Sequence, residues 1–159
     1  MVSHIIASMF DPQMIAARWY FGEFMHEDLP RIAAEALEHE YDGPMLRRLA
    51  GLIKPTSSDI PVREIDGAFR ELGIRAPLSK QEAQIILAAE TAQAVLSGAQ
   101  DPYDAATHIR IYICGFEAQP PELATIVKLS EQCERGLASA GDLQAQIRAA
   151  LADFLATSQ

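Results

Sequence analysis

The stretch SKQEAQIILAAETAQAVLSG, residues 79–98, decides the fold class. Ser79 and Glu82 stand three apart, the spacing of a capping box in which each side chain satisfies the other's backbone donor. Gly98 ends the helix that this box opens. Between them Ile85-Ile86-Leu87-Ala88-Ala89 is apolar at consecutive positions, and a helix that is apolar on every side belongs inside a fold. The segment reads as the central helix of an all-α bundle.

Toward the C-terminus, Asp101-Pro102 is a cap followed by a proline at the first helical position, and the helix it opens runs to about Cys114, before Gly115. Pro120-Pro121-Glu122 begins the next helix, with Leu123, Ile126, Val127 and Cys133 inward and Gly136 at its end. Asp142 caps the last helix, where Leu143, Ile147, Ala150, Leu151 and Phe154 form an amphipathic stripe. Toward the N-terminus, Val62, Ile65, Phe69 and Leu72 form one apolar face, closed by Gly73. Lys54 to Pro61 is a loop rich in Pro, Ser and Asp. Asp42-Gly43-Pro44 opens a short helix from Met45 to Ala50, closed by Gly51. Asp28 caps a helix from about Leu29 to Glu40, and Ile32, Ala33, Ala36 and Leu37 are its buried stripe. Asp11-Pro12 opens a helix to about Phe24 that is apolar nearly all round. Val2, Ile5, Ile6, Met9 and Phe10 fit a short opening helix, with a strand as the alternative. The sequence therefore predicts one all-α domain over residues 1–159, an irregular bundle of about eight short helices.

Composition narrows the function. The chain has 159 residues, 49% of them apolar and 22% charged, which is ordinary globular usage and unlike a disordered segment. Its formal charge is −9, with few cations from which to build the basic face that nucleic acids and anionic membranes require. No apolar run reaches the roughly 20 residues that span a bilayer. The start of the chain lacks the basic residues and long apolar stretch of a secretory signal. Cys114 and Cys133 have no redox or zinc spacing and read as reduced thiols packed as small hydrophobes. The expected setting is the cytoplasm. An acidic surface serves solubility and also suits a basic protein partner.

Catalytic signatures are missing: there is no nucleophile elbow, phosphate-binding glycine loop or dinucleotide fingerprint. His108, six residues before Cys114, would face another side of the same helix. Glu35 with His39, and Asp104 with His108, are four apart. If those two faces met, the four side chains would offer a metal site, although a Glu-x-x-His spacing is absent and such pairs also arise as ordinary helix-surface pairs. His26-Glu27-Asp28 combines an acid and a base, or equally a cap with favourable charge at a helix N-terminus. Trp19, Tyr20, Phe21 and Phe24 read either as the lining of a ligand pocket or as plain core.

Leu29-Pro30, Ala33, Ala36-Leu37, Tyr41-Asp42-Gly43-Pro44 and Leu46-Arg47-Arg48-Leu49-Ala50-Gly51-Leu52 form a pattern similar to that of small uncharacterised bacterial proteins, with a helix, an Asp-x-Pro turn and a Leu-Arg-x-Leu-Ala-Gly-Leu segment. Asp101-Pro102, Ala105-Ala106 and Ile109 fit its later part. The resemblance implies an all-helical fold and brings no activity. The expected function is a non-catalytic interaction module, an immunity- or adaptor-like acidic partner of a basic protein, without cofactor, through a surface of Glu27, Glu38, Glu40 and Asp42. The alternative is a helical-bundle enzyme or carrier using Glu35, His39, Asp104, His108 and the Trp19 cluster. A homo-oligomer that covers an apolar helix face is a third expectation.

Overall fold

Local caps and distant side chains share the work of starting and stopping the helices. A computed structural model of the chain describes residues 10–75, 78–115, 119–136 and 139–158. Eight α-helices and no strand occur among the described residues, so the all-α class is observed. The proposed opening helix or strand falls outside them, except for Phe10. Contacts divide the chain into two compact units, Met1–Ser79 and Lys80–Gln159.

In the first unit, α1 spans Pro12–Tyr20, α2 Leu29–Glu38, α3 Pro44–Ala50 and α4 Val62–Glu71. The Asp11 carboxylate accepts from the N–H groups of Gln13 and Met14 at 3.0 and 3.3 Å, satisfying donors that α1 leaves unpaired. The helix stops at Tyr20, four residues short of the expected Phe24. Gly22 takes φ +73°, and the N–H of Glu23 bonds back to the carbonyl of Arg18, a closure that the aromatic run across Gly22 disguises in the sequence. Asp28 does not cap α2 with its side chain. Its carboxylate instead accepts from the Met25 N–H at 2.7 Å and closes a 3-10 turn, His26–Asp28, that leads into the helix.

The core of this unit forms where three helices meet. Leu29, Ile32 and Ala33 of α2, Leu46 and Leu49 of α3, and Ile65 and Phe69 of α4 enclose a residual void of only 20 Å³. That is nearly full packing, with room for one water at most. Gly43 offers α3 no side-chain cap. The Glu71 carboxylate, at the end of α4, supplies it by accepting from the N–H of Met45 at 3.0 Å and of Leu46 at 2.8 Å. Arg48 of α3 also pairs with Glu64 of α4 at 3.1 Å.

The second unit contains α5 (Lys80–Leu96), α6 (Pro102–His108), α7 (Ala124–Glu134) and α8 (Ala140–Ser158). The long α5 buries Ala83, Leu87, Ala88, Ala92 and Val95, whereas Ile85 and Ile86 are half-buried. Asp101 caps α6 through the N–H of Asp104. The chain then widens into a π-helical turn, Ile109–Ile113, with the N–H of Cys114 bonded to the carbonyl of Ile109. Widening of this kind frees carbonyls. Buried Gln84 donates to the carbonyl of Ile113 at 3.1 Å. The cap of α8 differs from the expectation. Ser139 precedes the helix, and its hydroxyl accepts from the Asp142 N–H at 3.4 Å while donating to the Asp142 carboxylate at 2.7 Å, so the serine is the cap and Asp142 the third residue of the helix. From α8, Gln144 bonds Asp101 and the Tyr103 N–H at the start of α6, and Arg148 donates to the carbonyls of Val95 and Leu96 at the end of α5.

Candidate functional site

Helices α1 and α4 bound a cleft of 270 Å³ within the first unit. From α1 come Ala16, Trp19 and Tyr20, and from α4 come Val62, Asp66 and Phe69, at positions i, i+4 and i+7 of one helix face. Ile74 and Leu78 also line it. Trp19 is packed against the core and meets the His26 ring in an edge-to-face contact, with centroids 5.2 Å apart and planes at 76°. Tyr20 is 45% exposed and Val62 72%. The sequence placed Val62 on the buried face of its helix. As the first residue of α4 it instead lies open to solvent.

Asp66 is the charged residue of this cleft. It is half-buried, and among the described residues it has no hydrogen-bond or ion-pair partner. Sequence reasoning passed over it. An acid one position after Ile65 and three before Phe69 lies beside the apolar stripe, and that interruption was the available signal. Phe24 is half-buried and does not line the cleft, and Phe21 packs its ring against Tyr20 at 5.6 Å.

Glu27, Glu38, Glu40 and Asp42 are all exposed. Asp42 is engaged by Arg47, whose Nε lies 2.7 Å from its carboxylate, and that guanidinium holds the carboxyl below its ordinary pKa. The carboxylates of Glu27, Glu38 and Glu40 have no partner among the described residues. Glu40 occupies the left-handed region at φ 70°, where it closes α2.

Glu35 and His39 belong to the first unit, Asp104 and His108 to the second. The Nδ1 of His39 lies 2.9 Å from the backbone carbonyl of Glu35, and its ring stacks on Phe10. Glu35 faces Arg31 at 3.9 Å, and the ring of His108 stacks on Tyr112. Among the described residues, no group of three or more His, Cys, Asp or Glu could hold a metal ion. Both cysteines are free thiols. Cys114 is buried, and burial pushes its pKa up, with Lys80 acting in the opposite direction. No described helix is long and apolar enough to cross a membrane.

A larger groove, 440 Å³, runs along α7 and α8 in the second unit. Its large apolar members, Ile126, Leu129 and Phe154, are buried by their own neighbours, and its acids, Glu122 and Asp153, are exposed to water. The α1/α4 cleft combines the exposed side chains of Tyr20 and Val62 with a half-buried carboxylate that has no partner among the described residues. No family model, curated protein or solved structure matches this chain.

Proposed function

We propose that the protein is a non-catalytic interaction module that engages a basic protein partner in the cytoplasm. The observation that carries this reading is the set of exposed, unpaired carboxylates of Glu27, Glu38 and Glu40 on a chain of formal charge −9. Exposed carboxylates without internal partners keep their charge available to an approaching cation, which speeds encounter and disfavours anionic surfaces. Asp42 contributes less, because Arg47 already neutralises it.

Affinity capture of the tagged chain from its native host, at low and moderate salt, tests the proposal. The expected result is a stoichiometric basic protein whose retention falls with salt and falls again for the Glu27→Lys, Glu38→Lys, Glu40→Lys triple variant. Return of the bait alone would overturn the proposal. Retention that ignores both salt and charge reversal would also overturn it.

A further inference from the structure

We infer that the α1/α4 cleft receives a lysine or arginine side chain presented by the partner protein, with Asp66 meeting its cation and Trp19 and Tyr20 its apolar stem. The inference rests on the reading of a basic partner given above. The first unit carries exposed and half-buried carboxylates. Five of them are half-buried among the described residues: Asp28, Glu35, Glu64, Asp66 and Glu71. Asp28 accepts from the Met25 N–H, Glu35 faces Arg31, Glu64 pairs with Arg48, and Glu71 caps α3. Asp66 alone has no partner. A carboxylate drawn partly out of water without a partner loses hydration that nothing replaces, and a cation placed against it would restore the balance.

The rest of the cleft selects the kind of cation. Its walls are apolar and aromatic, so a small hydrated ion would gain nothing from them, and a neutral apolar ligand would leave Asp66 further desolvated. A flexible alkyl stem ending in an ammonium or guanidinium satisfies both features, and the aromatic faces add cation–π attraction. The volume of 270 Å³ falls below the range of about 300–1,000 Å³ typical of sites for drug-sized ligands, and it suits a single side chain. An anchor of this kind, seated in a pocket, matches the way binding energy concentrates at protein interfaces.

Trp19 is the only tryptophan in the chain, so its fluorescence reports directly on the cleft. The full chain would be titrated at constant ionic strength with acetyl-Leu-Arg-Leu-amide, its lysine counterpart and its norleucine counterpart. A saturable change in Trp19 emission is expected with the arginine and lysine peptides and not with norleucine. Asp66→Asn should weaken the response about tenfold, the worth of one charge-assisted contact. The norleucine comparison needs no variant and so does not depend on how Asp66→Asn folds. An equal response to norleucine, an unchanged affinity in Asp66→Asn or the absence of any saturable response would each overturn the inference. Tighter binding of free L-arginine than of the peptide would overturn the assignment to a protein partner. If a basic partner is captured while the peptides stay silent, the cleft inference fails and the interaction reading survives. If the peptides bind but no partner is captured, the interaction reading fails on its own.

Discussion

Replacing Gly43 by alanine should destabilise the protein, and the same replacement in a Glu71→Ala background should stabilise it. The reason lies in how α3 begins. Its first free donors, on Met45 and Leu46, are satisfied by the two oxygens of Glu71, 25 and 26 residues away in sequence. The carboxyl reaches them through space that a side chain at position 43 would fill: a Cβ built on Gly43 would overlap the carboxyl carbon and Oε1 of Glu71. Backbone strain plays no part, because φ at Gly43 is 169°, extended geometry open to any residue. Alanine would therefore push the Glu71 side chain away and leave the N-terminus of α3 uncapped.

Loss of a helix N-cap costs about 0.5–2 kcal/mol, and a half-buried, doubly bonded carboxylate belongs in the upper half of that range. Against this, exchanging glycine for alanine restricts the unfolded chain and returns about 0.4–1 kcal/mol. Gly43→Ala should thus destabilise by about 0.5–1 kcal/mol net. Glu71→Ala alone should cost about 1–2 kcal/mol. With the carboxyl already gone, Gly43→Ala meets no obstacle, and only its gain of about 0.4–1 kcal/mol remains. Urea denaturation followed by circular dichroism on the four proteins gives the coupling, expected at about 1–2 kcal/mol. Equal effects of Gly43→Ala in the two backgrounds would refute the claim that this glycine exists to admit Glu71.

Other expectations follow from single observations. Glu40 closes α2 in the left-handed region, so Glu40→Gly should stabilise the fold by about 1 kcal/mol, and a loss in urea midpoint would contradict the assigned strain. Gln84 is 2% exposed and donates to the Ile113 carbonyl. Gln84→Leu should cost about 1–3 kcal/mol, and a neutral effect would mean that water reaches the π turn. Cys114 is buried with its thiol pKa raised, whereas Cys133 is half-buried. An aromatic disulfide reagent at mildly alkaline pH should therefore modify Cys133 first and Cys114 only on unfolding, and the Cys133→Ser variant should be nearly inert. Equal rates for the two thiols would count against the packing at Cys114.

The parts of this fold that were legible are those decided by neighbours in sequence. Asp11-Pro12 and Asp101-Pro102 start helices because a side-chain oxygen two or three residues back can reach the free donors, and both do so. Two local signals were misread for physical reasons. Phe21 and Phe24 continue the apolar run of α1 past Gly22, yet the glycine's backbone freedom prevails over periodicity. Ser139 and Asp142 can each cap a helix, and only the hydrogen bond between them decides that the serine comes first. Other features were out of reach. Arg148 closes α5 from 52 and 53 residues away, and Glu71 opens α3 across the loop. Nothing about a glutamate near a helix end announces which other helix it will serve.

The candidate site divides along the same line. Trp19 and Tyr20 stood out because aromatics at helical spacing must face something, either core or pocket. Asp66 did not, because its meaning depends on α4 lining one cleft with α1, more than forty residues earlier in the chain. Taken alone it is a helix-surface acid with Arg63 and Arg70 three before and four after it, spacings at which ion pairs usually form. The structure makes neither pair. A carboxylate that declines two cations within reach on its own helix, while sitting beside an open aromatic wall, keeps its charge available to a third. A cation that paired with Asp66 would have to come from outside the described residues, and no motif in the sequence marks the one aspartate and two aromatic side chains that would receive it.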